Sequence, residues 1–154
     1  MYLLVRDVSQ YTEWAPILLG VFTYEAAASA ARLAYIAGLA GNDPWQQQAY
    51  KTSNPETDTR VMEIEGHCSS NGSPNVYLVT RHLEGMGQFS RWYLAVFSSL
   101  DEALARAAQE DAEEKVIAEY ISVEEFAVND TRYFDHARLP FQLWGSGLWT
   151  PPEG

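Results

Sequence analysis

The sequence predicts an α+β fold built from two tandem ββαβ units, and three observations predict it. Tyr2-Leu3-Leu4-Val5-Arg6 returns as Tyr77-Leu78-Val79-Thr80-Arg81, an offset of 75 residues, and self-similarity at a fixed offset is the signature of repeated structure. The same offset aligns Leu19, Val21 and Phe22 with Leu94, Val96 and Phe97. In each copy, two segments rich in Val, Ile, Tyr and Phe precede one alanine-rich segment of helical character.

In the first unit, residues 1–66, the pattern reads as a strand over Tyr2–Val8, a loop over Ser9–Pro16 and a strand over Ile17–Thr23. A helix over Tyr24–Leu39 follows, capped by Thr23 and ended by Gly38 and Gly41, then a third strand over Arg60–Glu65. A polar insertion with Pro44 and Pro55 spans residues 41–59. Ser69-Ser70-Asn71-Gly72-Ser73-Pro74 is turn chemistry and links the copies. In the second unit, residues 75–125, strands over Val76–Leu83 and Arg91–Ser98 flank a loop over Glu84–Ser90. Ser99 with Glu102 forms a capping box for a helix over Leu100–Glu113, and a strand over Lys115–Val123 closes the unit. A two-residue shift aligns Glu25-Ala26 with Glu102-Ala103, and Arg60-Val61-Met62 resembles Lys115-Val116-Ile117. An aromatic-rich tail covers 126–154, with Tyr133, Phe134, Phe141, Trp144 and Trp149. One ββαβ unit leaves a sheet edge and a sheet face open, whereas two copies can share a core. The expectation is therefore one 1–154 domain of antiparallel sheet carrying two main helices.

The helices differ. Residues 26–36 are apolar nearly all round, which predicts burial of Ala27, Ala30, Ala31, Ala34 and Ile36. On the second helix Leu100, Leu104, Ala107 and Ala108 share one face, and Glu102, Arg106, Gln109, Glu110 and Glu113 the opposite one.

Composition narrows the function classes. Acidic residues number 21 against 10 basic ones, a net charge of −11. Such a chain repels phosphate backbones, which argues against direct nucleic-acid binding and leaves basic protein surfaces as partners. A single cysteine, Cys68, allows no intrachain disulfide. The N-terminus lacks a basic region followed by an apolar one, and the apolar run from Ala15 to Gly41 is interrupted by Glu25 and Arg32. These features read as a cytoplasmic protein that does not span a membrane.

Chemistry-bearing motifs are sparse. His67-Cys68, His82 and Asp135-His136 lack the ligand spacing of a zinc site, and Gly85-Met86-Gly87 and Gly145-Ser146-Gly147 lack a phosphate-loop context. The expectation is no metal, no cofactor and no catalytic residue. The feature that stands out is charge: nine acidic and two basic residues lie between Asp101 and Glu125. This predicts a non-enzymatic, protein-binding module, monomeric or homodimeric, that docks through Asp101, Glu102, Glu110, Glu113 and Glu114. In general character, small and acidic without motifs, the chain looks like phage-encoded anti-defence inhibitors, anti-CRISPR proteins among them, which block a basic nucleic-acid-binding surface; the likeness is of character, not of motif. The alternative is a small-molecule-binding domain or small enzyme with a cleft between the repeats lined by Tyr2, Arg6, Tyr77, Arg81 and His82.

Overall fold

The computed structural model describes residues 1–10, 13–43, 54–68, 74–85, 88–113 and 119–134. It is a mixed α+β structure. The elements are β1 (Tyr2–Gln10), β2 (Glu13–Phe22), α1 (Glu25–Leu39), α2 (Pro55–Asp58), β3 (Thr59–Glu63), β4 (Gly66–His67), β5 (Asn75–Gly85), β6 (Gln88–Phe97), α3 (Leu100–Ala112) and β7 (Glu119–Ala127). The first two strands of each half form long hairpins, so most of the loops expected over Ser9–Pro16 and Glu84–Ser90 are strand instead. The last strand lies at Glu119–Ala127 rather than Lys115–Val123. Glu114 through Ala118, the linker residues 69–73, most of the insertion (44–53) and the tail beyond Phe134 lie outside the described residues.

The strand order is β3-β1-β2-β6-β5-β7. Within each half the pairing is antiparallel, β1 to β2 and β3, β5 to β6 and β7. Both hairpins carry a register shift, between Leu4 and Val5 in one and between Val79 and Thr80 in the other. Leu19 and Leu94 are the residues skipped. The extra residue of a bulge bends its strand and raises the local twist.

Among the described residues, the strands of the two halves pair at three places. Trp14 of β2 pairs in parallel with Ser90 of β6. Beyond β3, Glu65 accepts a hydrogen bond from the Val96 amide at 3.0 Å, and β4 then pairs with β6, Gly66 opposite Val96. A Cβ at Gly66 would sit 2.1 Å from the Val96 carbonyl oxygen, so glycine alone permits this approach. Beyond β7, Val128 bridges to Val21 of β2, and the Asn129 amide donates to the Val21 carbonyl at 2.7 Å. Both outer strands thus run on into segments that pair with the opposite half.

Alternation puts Leu3, Val5, Leu18 and Val21 on the helix-free face of one half and Val76, Leu78, Val96 and Phe126 on that of the other; all eight belong to one buried cluster. On the outer faces, α1 covers β1, β2 and β3, while Val79, Ile121 and Val123 pack under Ala103 and Ala107 of α3.

The α3 cap follows the sequence reading: Ser99 Oγ accepts from the Glu102 amide at 3.3 Å. The α1 cap does not. Tyr24 is its N-cap and makes no side-chain cap bond, and the Thr23 amide donates instead to Asn129 Oδ1 at 3.1 Å. Gly38 lies within α1, which ends at Ala40 in the left-handed region, followed by Gly41 at φ +82°.

All-round burial of α1 is corrected. Only Ala28, Ala31 and Tyr35 are buried, while Ala30 and Ala34 are exposed and Leu33 is 64% exposed. The helix lies on one face of a sheet, which covers a single stripe however apolar the rest is. Ala28→Glu is therefore expected to cost several kcal/mol by burying an unpaired carboxylate, whereas Ala30→Glu should stay within about 0.5 kcal/mol of wild type. Paired thermal denaturation curves check this; equal losses in both variants would show that the outer face is covered too. Among the described residues, no helix is long and apolar enough to cross a membrane.

Candidate functional site

The outer face of the C-terminal half carries an ion-pair network. Arg81 of β5 donates from Nη2 to Glu110 Oε2 of α3 at 2.8 Å, and its Nη2 lies 3.7 Å from Glu113 Oε2. Arg106 donates to the other Glu110 oxygen at 2.9 Å, an i,i+4 pair. Its two Nη groups grip Glu65, just past β3, at 2.9 and 3.2 Å. Hydrogen bonding to Arg106 holds the Glu65 carboxyl below its usual range.

This arrangement corrects the expected acidic stripe. Glu110 is only 8% exposed rather than standing on a solvated face. It stands at the edge of the inward stripe, so two arginines can draw it in, while Ala108 turns outward. Glu113 is exposed but shared with Arg81. Asp101 and Glu102 are exposed in the first turn, where the helix dipole favours acids, and Glu102 lies 3.7 Å from His67 Nδ1. Glu114 lies outside the described residues.

Arg6 lies on β1 of the N-terminal half. It is fully buried, donating to Tyr35 Oη of α1 at 2.9 Å and to Asp43 Oδ2 at 2.6 Å. Burial alone would lower its pKa, but the bonds to Asp43 and Tyr35 outweigh that and raise it. Each arginine is bonded to a helix residue 29 positions later, Arg6 to Tyr35 and Arg81 to Glu110. The helices start at Glu25 and Leu100, 75 residues apart.

Two clefts lie near these arginines. One of about 250 Å³ is lined by Ile36, Leu39, Gly41, Asp43, Asn54, Pro55 and Glu56. The other, of about 230 Å³, is lined by Arg81, Trp92, Leu94 and Glu119. Trp92 is directly opposite Arg81 on the hairpin and is 38% exposed. Arg81 has a 24% exposed side chain, whereas in the other half Tyr35 and Asp43, the latter in the insertion, close over Arg6.

The five residues expected to line a cleft between the repeats do not share one face. By alternation Tyr2 and Arg6 face α1, and Tyr77 and Arg81 face α3, while His82 points to the helix-free side. On that side Thr80, His82, Arg91, Ser122 and Glu124 are all buried. His82 Nε2 lies 2.7 Å from Ser122 Oγ, and its ring stacks on Tyr120 at 4.6 Å. Burial, then the Arg91 charge, pushes His82 down to about 3. Burial pushes the Glu124 carboxyl up to about 7 against the pull of Arg91. Tyr93 is pushed up to about 12 by burial, and its hydroxyl donates to the Pro16 carbonyl at 2.7 Å. The sequence reading missed Arg91 and Trp92; the signal for them is hairpin register, which sets Arg91 beside His82 and Trp92 beside Arg81.

Among the described residues, no three His, Cys, Asp or Glu side chains group to hold a metal ion. Cys68 is exposed. No family model matches the chain, and neither curated proteins nor solved structures give a match.

Proposed function

We propose that this protein is a small acidic binding module, a tandem duplication of a ββαβ unit, that docks on a basic surface of a partner protein and blocks it. The duplication is supported by equal register: the hairpin bulges, the helix starts and the arginine-to-helix bonds all repeat at the same offset. The observation that carries the docking role is charge placement. On a chain of net charge −11, α3 turns Asp101, Glu102 and Glu113 to solvent. A field of this kind steers a basic partner and acts mainly on association rate. A surface that normally binds nucleic acid is the basic surface it fits best, which makes inhibition of such a protein the working role.

Reversal of Asp101, Glu102 and Glu113 to lysine is the direct test. Glu110 is left alone, because its reversal would break the Arg81–Arg106 network and confound folding with binding. Against a partner captured from the native host, biolayer interferometry should show association slowed by roughly tenfold and a weakened salt dependence, since exposed charges are screened within about 8 Å at physiological salt. Unchanged rate and affinity would reduce the acidic face to a solvated surface.

A second reading, a small-molecule site or small enzyme between the two units, is favoured by the buried His82, Arg91 and Glu124. Strongly shifted groups gathered in one place mark functional sites as well as structural networks.

A further inference from the structure

We infer that the cleft of Arg81, Trp92, Leu94 and Glu119 receives a lysine or arginine side chain of the partner, laid over the Trp92 indole with its charge toward Glu119. The inference rests on the basic-partner reading above and names where that partner is gripped.

Four observations carry it. First, the cleft is a cavity of about 230 Å³, room for one long side chain. Second, its wall is a tryptophan that is 38% exposed, on a face where Val79, Ile121 and Val123 are buried under α3. An indole face attracts cations, and tryptophan is enriched among the residues that dominate interface energy. Third, Glu119 has no ion-pair partner among the described residues, whereas Glu65, Glu110 and Glu113 are all engaged by Arg81 or Arg106. Fourth, the cluster sets Arg81 and Arg106 against Glu65, Glu110, Glu113 and Glu119, so it carries an excess of negative charge despite the arginine in its wall. Arg81 is tied to Glu110 at 2.8 Å and does not repel a cation as a free guanidinium would. An anion would meet an acidic neighbourhood; a purely apolar group would leave Glu119 unused.

The two arginines are enclosed differently. Around Arg6 the helix supplies a tyrosine and Asp43 supplies a carboxylate. In the second half the helix supplies Glu110, and none of the described residues of α3 lines the cleft.

The test uses the full chain and fluorescence polarisation with a labelled hexa-arginine peptide, and a hexa-glutamate peptide as control. Trp92→Ala and Glu119→Gln should each weaken hexa-arginine binding by about tenfold, the scale of a partly desolvated cation–π or ion-pair contact. Trp92→Phe should retain most of the binding, and Glu25→Gln with Glu63→Gln, exposed acids of the other half, should change affinity by less than about threefold. Circular dichroism checks that each variant is folded. Wild-type affinity in folded Trp92→Ala and Glu119→Gln overturns the cleft while leaving the basic-partner reading intact. A loss in the Glu25/Glu63 variant as large as in the cleft variants also overturns it, since binding would then be diffuse. Absence of saturable hexa-arginine binding to wild type, or equal binding of hexa-glutamate, overturns the inference and the reading beneath it.

Discussion

Replacing Asp43 by alanine is expected to destabilise the fold by about 3–5 kcal/mol, the cost of removing one partner from a buried ion pair. Arg6 is fully buried beneath α1, and the Asp43 side chain opposite it is only 6% exposed at 2.6 Å. The Tyr35 hydroxyl accepts a second bond from the same guanidinium but carries no charge to offset it. Desolvating a guanidinium is costly, and the pair tolerates the interior only as a pair. Arg6→Met combined with Asp43→Leu should therefore be less damaging than Asp43→Ala alone, since it removes both charges and keeps volume. Urea denaturation of wild type, the single variant and the double variant measures this. A single variant within 1 kcal/mol of wild type, on the order of a surface pair, would show that Arg6 reaches water.

The second large effect concerns pH. His82 is lowered from 6.5 to about 3, so the unfolded chain binds a proton below pH 6.5 that the folded chain refuses. Its contribution is present above pH 6.5 and is lost as pH falls toward 3. Glu124 is raised from 4.5 to about 7, so the folded chain keeps a proton that the unfolded chain releases. Its contribution is present below pH 4.5 and is lost as pH rises toward 7. Over the shared window the two slopes oppose, and wild-type stability should be nearly flat. Glu124→Gln removes one slope, and its stability should then rise by up to about 3 kcal/mol between pH 4.5 and 6.5, at about 1.4 kcal/mol per proton and pH unit. His82→Asn should show the mirror image, a fall across the same window. Denaturation midpoints at four pH values decide it; a flat profile for both variants would mean that neither group titrates differently on folding.

Much of the fold was legible because it is written in local chemistry. Residues such as Val76, Leu78 and Val79 mark a strand by β-propensity, and Ser99 marks a helix start by its cap. What was not legible depends on pairing between distant segments. The hairpins run through the expected loops because β1 and β2, and β5 and β6, support each other along their length. Thr23 looks like a cap until Asn129, 106 residues away, engages its hydroxyl, donating from Nδ2 to Oγ1 at 3.2 Å. Glu110 reads as a surface acid on a helical wheel, and only the position of Arg81 on the neighbouring strand draws it inward. The arginines at 6 and 81 were visible as a repeated pair, but their separation onto two outer faces was not, because a linear sequence does not say how two units meet. The last strand was misplaced because Lys115-Val116-Ile117 matched by residue type, whereas register places Val61 and Val123 opposite equivalent partners, Leu4 and Val79.

The exchange of short segments between the halves bears on how the chain reaches this state. Gly66 and His67, encoded in the first half, finish an edge of the second, and Val128, encoded in the second, finishes an edge of the first. Neither hairpin-and-helix assembly is complete until the other has formed. A nascent chain emerging from the ribosome with only its first half made would hold β2 with an unfilled edge, a template for stray strands. The chain resembles an intramolecular strand swap, in which partner and timing are guaranteed by covalent linkage, so that the concentration of the missing edge is set by the tether rather than by how much protein the cell contains.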